Sequence, residues 1–330
     1  MNKIVHLSNT PLVGAPGKIS YMSCLNGYDS ISIVFSDYPE KGKLSNKFLN
    51  HSILWSNQDL FLKNHLINKV ENADIIHIHN HINPEHLNYF NFNLEHQKFI
   101  YHVHSPLREG PLFDEKSEQF DFKFNRKLVV AQYHPRFFND FIPVPNLVLE
   151  LPQLNLKKDD EKLRVMYSPT HNRGGRWNTK YTEELESAMQ MLQKMKLLDI
   201  VSPSQPLSPH VLLEIRRSCH VTIDEIATGS YHQVSLEGLC CGNVVINNAD
   251  IFSKMMLSNV ANSSALPPFL SSSGYDITEK LFELTRNNEL VRLHQKRSFE
   301  FYTKHLMPNN LFSIYNKIYK ELLNENEENS

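Results

Sequence analysis

The chain has 330 residues, enough for two domains of about 150 residues each. Its hydrophobic content of 41% and charged content of 21% lie near globular averages and exclude disorder as the governing state. Lys plus Arg number 34 against 36 Asp plus Glu, a net charge of −2, so no general basic field draws the chain to nucleic acid.

Residues 3–7 predict a first strand, which runs into a loop holding Pro11, Gly14, Pro16 and Gly17. Two glycines permit close backbone approach there, and the prolines fix the path. The spacing is not G-x-G-x-x-G, so the dinucleotide fingerprint is absent. No secretory signal is expected, because the first apolar run is short and is followed by polar residues and prolines. Further strands are predicted at 31–35, 53–55, 73–79, 98–104 and 127–131, with helical patterns near 60–70 and 84–90. The β-branched run 73–79 reads as an interior parallel strand. The polar stretch 156–162, with its short charge run, reads as a linker.

A second α/β series opens with a strand at 164–168 and a loop carrying Arg173, Gly174, Gly175, Arg176 and Lys180. Three cations beside flexible backbone suit a diphosphate: Arg binds oxygens bidentately and Lys adds a point charge. Thr182 is placed to cap the next helix, whose apolar face is Leu185, Ala188, Met189, Leu192 and Met195. Residues 197–201 form a strand, Ser208-Pro209 opens a helix, and 220–224 is the strand before the most informative stretch. That stretch, 223–246, reads strand, Gly229-Ser230 loop and helix start, about three helical turns containing Glu237, then Gly242 and a strand. In a parallel sheet such a unit sets the loop and helix N-terminus outside the carboxyl ends of the strands, where anions bind. A carboxylate at Glu237 can accept hydrogen bonds from a sugar hydroxyl. The remainder reads as mainly helical, ending in an amphipathic helix over 311–322 and an acidic tail.

The uncharged run 255–275 has the length of a membrane span, but its serines, asparagines and Pro267-Pro268 argue against one. Peripheral membrane contact stays open. Cys24, Cys219, Cys240 and Cys241 contain no C-x-x-C, so they read as reduced, buried thiols rather than a zinc ribbon or disulfide framework. Among the 17 histidines, His77, His79 and His81 alternate, as do His102 and His104, and each set shares a strand face. A metal site needs three or four converging ligands, and no neighbouring Asp or Glu completes such a pattern, so no metal is assigned. His102 or His104 is instead expected to serve as a general base or substrate contact, with His104 nearer the loop.

These residues together resemble a GT-B glycosyltransferase. Two Rossmann-like halves, the Gly/Pro loop, the Asp74-Ile75-Ile76-His77 strand, His102-Val103-His104-Ser105 and the Arg/Lys loop carry the likeness. More narrowly, the segment from Gly229-Ser230-Tyr231-His232 to Glu237-Gly238-Leu239 and Gly242 resembles the retaining family 4 group of bacterial surface-polysaccharide enzymes. The resemblance implies an α/β fold of two doubly wound domains facing a cleft, with a C-terminal helix crossing back to the first domain. It divides the chain into an acceptor-binding domain at 1–152 plus helix 309–323, a nucleotide-sugar domain at 153–308 and a tail at 324–330. In that family a Glu-x7-Glu motif serves the donor; Glu237 matches its second Glu, which binds ribose, while Gly229 stands where the first is expected. Asp224 or Glu225 is a candidate substitute. Arg176 and Lys180 match the diphosphate cations, with Arg173 an alternative.

The implied activity is transfer of a sugar from a nucleotide donor, UDP-linked by expectation, to a glycan or lipid-linked hydroxyl; the expected location is the cytoplasm, with association to the cytoplasmic face of a membrane left open. Arg176, Lys180 and His104 are the expected catalytic residues. Arg173, Gly229, Ser230, Tyr231, His232 and Glu237 are expected on the donor side, and Gly14, Gly17 and His102 on the acceptor or sugar side. The resemblance implies no cofactor, no metal for the diphosphate and no nucleic-acid partner. A GT-B-fold sugar-nucleotide epimerase and a catalytically silent partner protein are the competing readings.

Overall fold

Short β-branched runs alternate with helices along the chain, and a parallel sheet is what that alternation builds. The computed structural model describes residues 1–37, 49, 51–104, 120–167, 182–203 and 207–324. It divides into two units, Met1–Leu147 with Pro308–Ser330, and Val148–Met307.

The first unit holds strands β1 (Lys3–Ser8), β2 (Asp29–Val34), β3 (Ile53–Leu54), β4 (Ile75–His79), β5 (Lys98–Val103), β6 (Arg126–Val130) and β7 (Ile142–Val144), with helices α1 (Ala15–Leu25), α2 (Leu60–Glu71) and α3 (Pro84–Leu87). All seven strands pair in parallel in the order β3-β2-β1-β4-β5-β6-β7. The order reverses between β1 and β4, and the crevice beyond their carboxyl ends is where open α/β sheets bind ligands.

The two faces of this sheet differ because alternate residues point to opposite sides. Val5, Leu7, Ile76, Ile78, Phe99, Tyr101 and Val129 cluster with Leu66 and Val70 of α2 as an apolar core. The opposite face carries His6, His77, His79 and His102, all 0% exposed. Helix α1 packs on β1 and β2, and the last helix of the chain (Pro308–Asn324) packs on α1. Tyr28 donates to Asn316 Oδ1 at 2.7 Å and Tyr315 to the Pro145 carbonyl at 2.7 Å, tying that helix down.

The second unit holds β8 (Leu163–Tyr167), α4 (Glu183–Lys194), β9 (Leu198–Val201), α5 (Pro209–Arg217), β10 (Val221–Ile223), α6 (Gln233–Cys240), β11 (Val244–Asn247), α7 (Ile251–Val260), β12 (Leu270–Ser271), α8 (Ile277–Arg286) and α9 (Asn288–Phe301); the last helix of the chain is α10. Its sheet order is β12-β11-β10-β8-β9, also parallel, and its switch point falls between β8 and β10. Leu185, Ala188, Met189 and Leu192 of α4 are buried as the periodicity predicts, whereas Met195 is exposed beyond the helix end.

Several expectations need correction. Strands β7 and β12 were absent from the sequence reading: both are short edge strands, where Pro143 is tolerated because an edge can spare the missing N–H. Thr182 occupies the N-cap of α4 but makes no capping bond; three first-turn glutamates complement the helix dipole instead. Ser208 does cap α5, accepting from Val211 N at 3.4 Å. The stretch 156–162 is no free linker. Lys157 N donates to Gln295 Oε1 at 2.9 Å and Arg292 to Asp159 at 2.7 Å, tying it to α9. No helix among the described residues is long and apolar enough to cross a membrane.

Candidate functional site

In the second unit, β10 ends at Ile223 and delivers two adjacent carboxylates to the switch point. Asp224 Oδ2 accepts from His232 N at 2.6 Å and from Ser235 Oγ at 2.7 Å, closing a turn around the start of α6. Glu225 Oε2 accepts from Ala227 N at 2.7 Å and Thr228 N at 2.9 Å, and Glu225 Oε1 accepts from the Thr228 hydroxyl. Both acids therefore spend oxygens on their own loop. His232 Nδ1 lies 3.3 Å from Asp224 Oδ1.

These contacts move the helix start. Gly229-Ser230, the expected helix start, lies before the helix: α6 begins at Gln233 with His232 as N-cap and is only eight residues long. Gly229 instead takes φ 78° in the left-handed region, and its carbonyl accepts from Asp250 N at 3.1 Å and Ser253 Oγ at 3.0 Å, joining the loop to α7. A residue with a Cβ would occupy that backbone conformation only with strain. Ser230 is buried, its hydroxyl donating to the Tyr231 carbonyl at 3.1 Å. Tyr231 is buried against Phe269, with ring centroids 5.7 Å apart, and burial raises its phenol far above the usual range. What this segment offers a ligand is chiefly backbone.

Glu237 sits on α6 at 8% exposure. The sequence places it among apolar neighbours; the structure adds Arg216 of α5, whose Nη2 donates to Glu237 Oε2 at 3.0 Å. Arg216 is 1% exposed, and its carbonyl accepts from Asn243 Nδ2 at 3.0 Å. Neither Arg216 nor Asn243 stood out in the sequence, since their partners are far along the chain. Gly238 lets α6 approach the sheet: a Cβ there would lie 2.8 Å from Val245 Cγ2 and 3.1 Å from Thr222 Cβ. Arg173, Arg176 and Lys180 follow β8 in the sequence and lie outside the described residues. A shallow cavity lined by Glu161, Lys162, Arg164, Asp199 and His220 sits at the amino ends of β8 and β9, the wrong ends for a switch-point ligand.

In the first unit, the rim beyond β1 and β4 is polar. Asn9 Nδ2 donates to Asn83 Oδ1 at 3.2 Å, and Asn83 N donates to Asn9 Oδ1 at 3.2 Å. Asn80, at φ 56°, accepts from His104 N at 2.7 Å and donates its own N–H to the His102 carbonyl at 2.8 Å. These asparagines were missed; N-rich loops carry no chemistry until their partners are known. Gly14 is the N-cap of α1 at φ 81°, preceded by Leu12 and Val13, also at positive φ. Such a run is costly for the β-branched Val13. Gly17 is buried in the first turn of α1.

Behind that rim the histidines form two chains. His6 Nδ1 lies 3.0 Å from His79 Nε2, and His79 Nδ1 lies 2.8 Å from His104 Nε2. His102 Nδ1 lies 3.2 Å from His77 Nε2, whose Nδ1 is 2.9 Å from Tyr319 Oη of α10. His81 lies past the strand end, with Nε2 3.1 Å from Asn83 Oδ1. His104 is half-buried. Burial, reinforced by neighbouring histidines, holds His6 down to about 3 and His77, His79 and His102 well below the ordinary imidazole value; burial alone holds His104 to about 3. All five are neutral imidazoles near pH 7.

No protein-family model matches the chain, and no curated protein matches it in sequence. Solved structures match it in fold. An alpha-glucosyltransferase in complex with UDP and a 13-mer DNA aligns with a TM-score of 0.59 at 12% identity, over 96% of this chain and 99% of that one. Sucrose-phosphate synthase from Thermosynechococcus elongatus aligns with a TM-score of 0.58 at 12% identity, over 98% of this chain and 100% of that one. A UDP co-structure of MnaA from S. aureus gives 0.51 at 12% identity, over 98% of each chain. The shared property is the fold: two parallel α/β sheets, the GT-B arrangement of elements.

Two outcomes follow from the buried groups. Each fully buried histidine is neutral when folded and takes up a proton near pH 6.5 when unfolded. Stability is therefore intact above about pH 6.5 and falls below it, by about 1.4 kcal/mol per pH unit for His6 down to about pH 3, with His77, His79 and His102 adding to the fall. Thermal unfolding in chelator-containing buffer should show Tm dropping steeply from pH 6.5 to 5; a flat profile contradicts the neutral layer. In the second unit, Glu237→Leu leaves Arg216 buried without its counter-charge and should cost about 3–5 kcal/mol. The double variant Arg216→Met with Glu237→Leu should recover most of that loss in urea unfolding.

Proposed function

We propose that this chain is a glycosyltransferase that moves a sugar, with retention, from a UDP-linked donor to a hydroxyl of a glycan or lipid-linked acceptor in the synthesis of a bacterial surface polysaccharide. The observation that carries this reading is the loop 224–232, folded around its own two carboxylates at the switch point of a parallel sheet. Ala227, Thr228 and His232 give their N–H groups to those acids, which leaves the main chain at Gly229 and Ser230 as the place for a diphosphate. Two of the fold neighbours were solved with UDP, which supports the choice of nucleotide.

Arg176 and Lys180, with Arg173 beside them in the sequence, neutralise charge as it develops on the departing diphosphate. Gly229, Ser230 and Tyr231 meet it through the main chain, because the Ser230 and Tyr231 side chains are buried, while His232, whose N–H is held by Asp224, stands beside it with its imidazole. Glu237 orients the ribose, and Arg216, 3.0 Å from its Oε2, holds the carboxylate in place. In the first unit, His104 presents a neutral imidazole to the transferred sugar or the acceptor. His102, fully buried, acts from behind it, and Gly14 and Gly17 let the acceptor approach the start of α1. A neutral His104 accepts a hydrogen bond from a sugar hydroxyl and does not supply a cation.

The test is acceptor-dependent release of UDP from UDP-sugars, with the anomeric configuration of the product read by NMR. Arg176→Ala and Lys180→Ala are each expected to lower kcat about 100-fold or more, with Tm unchanged. Release that ignores every acceptor, or an epimerised nucleotide sugar formed without acceptor, overturns the transferase reading.

A further inference from the structure

The histidine layer of the first unit is larger than a sugar contact requires. Only its outermost member, His104, is half-buried, while four more imidazoles lie behind it with no access to substrate. Among the described residues, two groups bring three histidine nitrogens within 4.8 Å of one another: His6, His77 and His79, and His79, His102 and His104. Both consist of histidines alone. His102 Nε2 and His6 Nε2 are buried and have no hydrogen-bond partner among the described residues. A buried, unpartnered ring nitrogen costs free energy unless something binds it.

We propose that His79, His102 and His104 bind a divalent transition-metal ion of the zinc type at the carboxyl ends of β4 and β5. The outer group is chosen over the inner one because His104 gives an ion a way in and His102 has a nitrogen to offer. The donor set selects the metal: imidazoles suit zinc, cobalt, nickel or copper, whereas magnesium and calcium take oxygen ligands. Three histidines with an open fourth position are also the ligand count of catalytic rather than structural zinc.

Proton assignment in the two chains is consistent with this. If His79 gives Nδ1 to the ion, its Nε2–H donates to His6 Nδ1 at 3.0 Å. If His102 gives Nε2, its Nδ1–H donates to His77 Nε2 at 3.2 Å, and His77 Nδ1–H donates to Tyr319 Oη at 2.9 Å. Two ligands thus have their second nitrogen held, as ligating histidines require for a fixed tautomer and orientation. His104 gives Nε2 after moving its proton to Nδ1. The 2.8 Å between His79 Nδ1 and His104 Nε2 has to open by about 0.6 Å to reach the spacing of two ligands at about 2.1 Å in a tetrahedron. The half-buried His104 is the ligand that moves to open it. This site does not depend on the transferase reading: it gives a role to His79, which that reading leaves idle, and with the ion bound His104 offers a hydroxyl its Nδ1–H instead of an acceptor nitrogen.

The full chain, without a purification tag containing histidine, is dialysed against chelator and titrated with Co2+. Saturation at one equivalent, with visible d–d bands of a four- or five-coordinate site, is expected, followed by displacement with Zn2+. Zn2+ should raise Tm by several degrees where Mg2+ does not. His104→Ala should weaken Co2+ binding at least 10-fold, while His96→Ala, on an exposed histidine, leaves it unchanged. Absence of saturable Co2+ or Zn2+ binding by the wild-type chain overturns the proposal, and so does an unaltered band in His104→Ala. The wild-type titration decides even if a variant fails to fold. Sugar transfer is not among the readouts, so loss of the metal site and loss of the transferase reading are separable.

Discussion

The geometry of the second unit depends on Asp224. One carboxylate at the end of β10 takes the N–H of His232 and the hydroxyl of Ser235 together, and this sets where α6 begins. Glu225 then folds the intervening residues onto itself, and Gly229 accepts from the first turn of α7. Hydrogen bonds to an ionised carboxylate are stronger than neutral ones, so the loop is held before any ligand arrives. Preorganisation of this kind spares a ligand the entropy of ordering the loop.

The first unit is governed by a different constraint. Its central strands carry apolar residues to one face and histidines to the other, so that face must satisfy ring nitrogens where solvent is excluded. It does so with two hydrogen-bonded chains, one ending on Tyr319. The arrangement tolerates neutral imidazoles only, since neighbouring cations in a buried layer repel one another. A polar interior of this sort is costly unless fully partnered, and the two unpartnered nitrogens mark where it is incomplete.

Much of the fold was legible in the sequence. The β-branched runs at β4 and β11, the apolar face of α4 and the Ser208-Pro209 start of α5 are local patterns, and local patterns are what periodicity and capping report. Strand β7 was not legible because Pro143 argues against a strand, and β12 because its two residues lie between Pro267-Pro268 and a run of serines; β3, an equally short edge strand, was legible from its apolar run. The candidate site was legible only in part. Alternation placed His77 with His79 and His102 with His104, but nothing local joins β4 to β5 or brings in His6 from 73 residues away. Likewise Glu237 was visible as a helical acid, yet its partner Arg216 lies 21 residues earlier on another helix. The start of α6 was misplaced because Asp224 controls it from eight residues upstream, an effect that Gly229-Ser230 conceals.

The central claim is that the preorganised loop after β10 receives a nucleotide diphosphate, and calorimetric titration with UDP tests it most directly. The account predicts one site per chain, with affinity reduced at least 10-fold in Glu237→Gln. That variant keeps the side-chain shape and a hydrogen bond to Arg216 while removing the charge. Absence of heat and of saturable binding with UDP, GDP and CMP alike would contradict it.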